Sequence, residues 1–177
     1  MTVPVELNVE DTRWGDLVPL ADAAVDATLR HLGHDPTGFA VSVLACDDTR
    51  IRALNARFRG QDKATNVLSW PAEDLSSDID GANPAPPDPG APDDPVELGD
   101  IALAHETCAR EAAEQGKRLK DHATHLVVHS VLHLLGYDHE RPADAHLMEE
   151  TETLILAQMG IADPYAGLDG PIDGTEP

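Results

Sequence analysis

The sequence predicts an α+β domain: a small mixed β-sheet packed with about five helices, with a metal site on a helix in the C-terminal half. Three observations carry this. Strand-like and helix-like segments alternate through about residue 104, and helical patterns dominate afterwards. Apolar runs at 39–45 (FAVSVLA), 66–70 and 98–104 (LGDIALA) are short enough for strands. One helical stretch, HATHLVVHSVLHLLGYDH at 122–139, gathers three histidines around a glycine.

Taken in order, residues 3–9 (VPVELNV) alternate apolar and polar and predict a strand. Asp11-Thr12 or Gly15-Asp16 opens a helix that runs to about His31, with Leu17, Leu20, Ala24, Ala27 and Leu29 on its apolar face and Gly33 as its stop. The buried strand 39–45 follows. Asp47-Asp48-Thr49 then caps a helix over 49–58, in which Ile51, Leu54 and Phe58 share a side. After a glycine-containing turn comes the strand Asn66–Trp70. It is expected to pair with 98–104 across the intervening segment. That segment, 71–95, holds half of the chain's 14 prolines and almost no large apolar residues, which predicts a mobile Pro/Asp-rich loop. A helix from His105 to about Gly116, the histidine helix to about Leu135 and a last helix at 143–159 complete the domain. It is read as one domain, 1–163, with a flexible tail at 164–177.

The composition is globular, with 41% hydrophobic and 25% charged residues, but the formal net charge of −21 is extreme. Taken alone, that charge argues against loose electrostatic binding to nucleic acid. Cys46 and Cys108 sit in apolar or helical contexts and are expected to be buried free thiols. The N-terminus lacks a basic region followed by an apolar run, and no run is long enough for a membrane span, so a cytoplasmic protein with no membrane partner is expected.

Within 122–139, His122, His125, His129 and His133 fall on one narrow helical stripe, opposite Val127, Val131, Leu134 and Leu135. A single helical histidine is ordinarily a satisfied or exposed polar residue, and His31, His34, His105 and His146 are read that way. His129, His133 and His139 are different. The first two are one turn apart, and Gly136 can end the helix in a left-handed conformation that folds His139 back towards them. Three imidazoles so placed form a tripod for one Zn²⁺ per chain, with a fourth position open. The spacing H-x-x-x-H-x-x-G-x-x-H equals that of metzincin proteases, whose first histidine is followed by a glutamate general base. Here that position is Ser130, which cannot take a proton as a carboxylate does. Ordinary zinc peptidase chemistry is therefore disfavoured, and the Lewis-acid role of a metal is left intact.

At this point the residues resemble a known family. HLVVHSVLHLLGYDH (125–139) is similar to the signature of the YbeY endoribonucleases, with Ser130 in place of a usual glycine. LNARFRGQDKATNVLSWP (54–71), with Trp70 where phenylalanine is usual, LGDIALA (98–104) and MGIADPY (159–165) resemble further segments of that family. The resemblance runs from about residue 40 to 165; the proline-rich loop is longer than the family's usual connection. It implies a single-strand-specific endoribonuclease acting in 16S rRNA 3′-end maturation and ribosome quality control. The implied partners are single-stranded rRNA and the ribosome or its small subunit with its proteins. It also implies zinc on His129, His133 and His139, and an important arginine at Arg59.

Local charge is compatible with this. Arg50, Arg52, Arg57, Arg59 and Lys63 form one basic segment, and Arg110, Lys117, Arg118 and Lys120 form another. We expect them to line one groove leading to the metal, with Arg57, Lys63 and Arg118 touching RNA and the acidic loop and tail lying elsewhere. A guanidinium at Arg59 suits bidentate phosphate binding. The general base is unassigned. His122, His125 and Asp138 are candidates for supporting a ligand, and Asp100 is a weaker candidate. Two alternatives stand beside the ribonuclease: a zinc hydrolase of another substrate such as a peptide, and a non-catalytic ribosome assembly factor in which zinc holds the fold.

Overall fold

In the computed structural model, the described residues are 5–15 and 17–165. Four strands, β1 (Val5–Val9), β2 (Phe39–Cys46), β3 (Val67–Pro71) and β4 (Val96–Ala104), form one sheet in the order β1-β2-β4-β3. β1, β2 and β4 run parallel. β3 pairs antiparallel with β4, from Val67 opposite Leu103 to Pro71 opposite Gly99. The helices are α1 (Leu17–His31), α2 (Asp48–Arg59), α3 (His105–Glu114), α4 (Leu119–Leu134) and α5 (Pro142–Gln158). The chain is thus α+β with a mixed sheet and five helices. Of the two openings expected for α1, Asp11-Thr12 does something else: the Asp11 side chain accepts from the Arg13 backbone N–H at 3.0 Å and caps a short 3-10 turn, Thr12–Trp14, and α1 starts at Leu17, directly after the other opening, Gly15-Asp16.

The sheet is covered on both faces. Phe39, Val41, Val43 and Ala45 of β2, with Leu98, Ile101 and Leu103 of β4, point into the main core beneath α1, α4 and α5. The switch from an even to an odd position in β4 follows from a bulge, where the register passes from Ala40 opposite Glu97 to Val41 opposite Gly99. Gly99 is required there. Its φ is 144°, and a Cβ would stand 2.2 Å from the Trp70 carbonyl oxygen and 2.8 Å from Leu134 Cδ2. On the other face α2 packs Ile51 against Cys46, Leu68, Ala102 and Ala104, a smaller cluster.

α4 runs through the middle, touching α1, α3, α5, β3 and β4. Twelve of its 16 residues are buried, so it has no solvated face. Its histidines therefore lie in the interior, where each ring nitrogen needs a partner. Cys46 and Cys108 are free and buried, as expected.

The connection from β3 to β4 has no strand or helix, and it is held by specific contacts. Arg141, preceding α5, donates to the Ser77 and Asp78 carbonyls at 2.8 and 2.9 Å. Asp80 accepts from the Asp144 backbone N–H at 3.0 Å, and Asp144 accepts from that of Gly81 at 2.8 Å. Leu75 is buried. Of the tail expected at 164–177, residues 166–177 lie outside the described residues. No helix among the described residues is long and apolar enough to cross a membrane.

Candidate metal centre and cleft

α4 ends just past His133, and its ending builds the centre. The Tyr137 N–H reaches back to the Leu132 carbonyl and the Gly136 N–H to that of His133, both at 3.0 Å, which is a Schellman ending. Gly136 has φ 99°, and a Cβ there would stand 2.7 Å from the Leu75 carbonyl carbon. Only glycine permits both the reversal and the close approach of the β3–β4 connection. The reversal brings His139 back: its ring centroid is 5.6 Å from that of His129 and 5.1 Å from that of His133, and the latter two are 4.6 Å apart. One ring nitrogen from each of the three lies within 4.8 Å of the others.

The hydrogen bonds decide which nitrogens are free. His129 Nδ1 faces Glu152 Oε1 at 2.5 Å, and an ionised carboxylate only accepts, so that nitrogen carries the proton. His133 Nδ1 faces the Tyr137 carbonyl at 3.0 Å and must also donate. Both Nε2 atoms are then left with lone pairs, and they face each other at 3.1 Å. Two lone pairs at that distance repel unless a cation lies between them. His139 Nε2 is buried and has no partner among the described residues. Nitrogens about 2.0–2.1 Å from a tetrahedral ion stand about 3.3 Å apart, close to the 3.1 Å between the His129 and His133 Nε2 atoms. The donor set therefore fits a metal ion. Burial, then the neighbouring His129 and His139, holds the His133 pKa well below the usual imidazole value, which keeps the ring neutral as a ligand must be.

Sequence reasoning missed Glu152. It is fully buried on α5, and it also accepts from His125 Nε2 at 2.9 Å and from the Tyr165 hydroxyl. Burial alone would raise its pKa. The His129 imidazole and the hydrogen bonds from His125 and His129 outweigh that and hold the carboxyl below the usual carboxylate range. His125, His129 and Glu152 are also close enough to hold an ion, but Glu152 already uses its oxygens on His129, His125 and Tyr165. A signal for Glu152 existed: it shares a helical stripe with the buried Met148, Ile155 and Leu156, where an acid needs a reason. Glu111 and Asn66 were also missed. His122 Nε2 and Asn66 Nδ2 both meet Glu111 Oε1 at 2.9 Å.

The supporting candidates thus separate. His125 reaches the centre through Glu152. His122 joins the Glu111–Asn66 group instead. Asp138 accepts from the His139 backbone N–H at 2.7 Å and holds the reversal, not the imidazole. Asp100 is on the opposite sheet face, in a groove with Leu54, Phe58 and Trp70.

His129 and His133 open onto a cleft of about 330 Å³ that Arg59, Ser130, Glu73, Asp74 and Asp138 also line. Arg59 is the last residue of α2. Its Nη2 donates to the Ser69 carbonyl of β3 at 2.5 Å, its Nε is buried without a partner, and no carboxylate pairs with it among the described residues. Burial lowers its pKa. Three of the cations expected to line one basic groove are paired with acids among the described residues. Arg52 pairs with Asp62 at 2.8 Å, Arg50 with Glu10 at 3.4 Å and Arg118 with Asp121 at 3.0 Å. Arg57 is exposed and lies over the Phe58 ring, and Lys63 is exposed on the turn after α2. Arg118 is eleven residues before His129, about 16 Å along the helix. The acidic connection, expected elsewhere, supplies Glu73 and Asp74 to the cleft wall. Linear charge clusters scatter over helix faces, and nearby acids neutralise them.

Fold and site together define an α+β domain with a three-histidine centre at the reversal of a buried helix, in a cleft with one unpaired arginine. The sequence model of the family described as "Endoribonuclease YbeY" matches residues 7–160. Proteins of that name from Dinoroseobacter shibae and Ruegeria pomeroyi are 58% and 56% identical to it. Both alignments span 91% of this chain, and they cover 90% and 97% of the respective relatives. The chain belongs to the YbeY family. A protein of Thermotoga maritima solved in solution shares the fold at 19% identity, with a TM-score of 0.54 over 90% of this chain and 97% of that one.

Proposed function

We propose that the chain is a cytoplasmic, zinc-dependent, single-strand-specific endoribonuclease that acts in 16S rRNA 3′-end maturation and ribosome quality control, in company with the small ribosomal subunit and its proteins. One observation carries the reading: two imidazole Nε2 lone pairs converge with a buried, unpartnered His139 Nε2, in a cleft whose wall offers the unpaired Arg59 guanidinium. The family supports RNA as the substrate, since the relatives carry the name endoribonuclease.

In this reading His129, His133 and His139 hold zinc, which supplies Lewis acidity towards water and a phosphate oxygen. Glu152 keeps the His129 proton on Nδ1, and the Tyr137 carbonyl does the same for His133, so both rings present Nε2. Arg59, held from behind by Ser69, binds the phosphate and offsets charge that grows in the transition state. Of the residues with weaker claims, His125 supports a ligand through Glu152 and Asp138 supports the His139 backbone.

The test is metal analysis of the purified chain combined with cleavage of single-stranded RNA and of casein, each with and without chelator. We expect about one zinc per chain, RNA cleavage abolished by chelation and by His133→Ala, cleavage lost in Arg59→Glu with its zinc retained, and casein left intact. Full-rate RNA cleavage by the metal-free chain would overturn the mechanism.

A further inference from the structure

We propose that Ser130 and Arg59 form a phosphate-oxygen subsite beside the histidine centre, in which the Ser130 hydroxyl and the Arg59 guanidinium donate to one non-bridging oxygen of the RNA backbone. The inference rests on the reading of the cleft as an RNA site. It begins with an orphaned group. Ser130 is 1% exposed, and its Oγ has no hydrogen-bond partner among the described residues. Such groups are rare, because burial removes water without replacing it.

A hydroxyl on a helix has a partner within reach, the carbonyl four residues earlier. Four threonines on α1, α4 and α5 use it. Thr28, Thr124 and Thr151 donate to the carbonyls of Ala24, Lys120 and Leu147 at 2.7 Å, and Thr153 to that of Glu149 at 2.9 Å. Ser130 makes no such bond to Leu126, although it is more buried than Thr124 and Thr151. It lines the cleft instead, with His129, His133 and Arg59.

The second group is on the facing element. Arg59 Nη2 is fixed on the Ser69 carbonyl, which orients the guanidinium and leaves the buried Nε without an acceptor. Two residues that line one cleft each carry a buried donor without an acceptor among the described residues, and together they define a place for an acceptor. With Glu73 and Asp74 also on the wall, a general positive field would not hold an anion there. Directed donors would, and they would fix one phosphate against the histidine centre.

The test is equilibrium binding of a fluorescein-labelled, single-stranded 2′-O-methyl RNA oligonucleotide to the zinc-loaded chain, for wild type, Ser130→Ala, Arg59→Ala and the double variant. One lost hydrogen bond to a charged oxygen corresponds to about tenfold in affinity. We expect Ser130→Ala to weaken binding about tenfold in the wild-type background and less than threefold in the Arg59→Ala background, because the two share one oxygen. We also expect its zinc content unchanged and its Tm equal to or above that of wild type, since an unsatisfied hydroxyl has been removed. Affinity within twofold of wild type would mean that water alone meets the hydroxyl and would overturn the proposal. A loss of affinity that tracks lost zinc or lowered Tm would overturn it too, because Ser130 would then act through His129 or the fold. Wild type that fails to bind the oligonucleotide overturns the RNA reading itself. Wild type that binds, with Ser130→Ala unaffected, overturns the subsite alone.

Discussion

Replacing Glu152 by glutamine removes a charge and keeps the shape, and it tests the idea that this carboxylate sets the state of the metal centre. All three groups that meet Glu152 are donors: His129 Nδ1 on Oε1, and His125 Nε2 and the Tyr165 hydroxyl on Oε2. Glutamine has one oxygen. If it serves His129, the amide nitrogen faces two donors. His125 can move its proton to Nδ1 and Tyr165 can turn to accept, but both displaced protons then lose their acceptor, and His125 Nδ1 is buried with no partner to offer. Three charge-assisted bonds worth about 1.5–3 kcal/mol each become ordinary ones worth about 0.5–1.5 or are lost. Relief of the carboxylate's desolvation works against this, leaving a net loss of about 2 kcal/mol, or about 4–8 °C in Tm for a domain of this size. His129 is also no longer held by an anion, and zinc affinity should fall about 10–100-fold, as for other lost supporting partners. Thermal unfolding and competition with a chromogenic chelator measure the two effects. A variant with Tm within 1 °C of wild type and zinc affinity within twofold would refute the reasoning.

Two further outcomes follow from the geometry. Gly136→Ala puts a Cβ 2.7 Å from the Leu75 backbone at φ 99°, so the left-handed strain of about 1–2 kcal/mol adds to displacement of the β3–β4 connection. Urea unfolding should show a loss above 2 kcal/mol together with weaker zinc binding, and a variant as stable as wild type would count against the reversal. Burial, chiefly, pushes the Cys46 thiol up to about 12 and holds that of Cys108 well above the usual range, so neither is a thiolate at pH 8. Ellman's reagent should find no reactive thiol in the folded chain and two after denaturation. Fast labelling of the native protein would show that one of them is accessible.

The three-histidine centre was legible in the sequence because its geometry is local. Helical spacing aligns His129 with His133, and a glycine two residues before Asp138 allows the reversal that returns His139. The strands and helices were legible for the same reason, through period and caps. The sequence left two openings for α1, because Asp11 can cap a 3-10 turn as well as a helix, and the helix begins after the second, Gly15-Asp16. The charge pattern was least informative. An arginine's meaning depends on what faces it, and Arg50, Arg52 and Arg118 each face an acid, whereas Arg59 does not.

By itself, then, the sequence determined the α+β pattern, the tripod and, through Ser130, the absence of a peptidase-type glutamate after the first histidine. Only the tertiary structure decided what surrounds them. Glu152 lies 23 residues from His129, and Asn66 lies 45 from Glu111; no local rule joins them. The acidic connection reaches the cleft through contacts with α5 and Gly136, more than fifty residues away in sequence. The physical reason is burial. A helix surrounded on every side turns histidines that could have been solvated into groups needing a carboxylate, a carbonyl or a cation, and only packing chooses which.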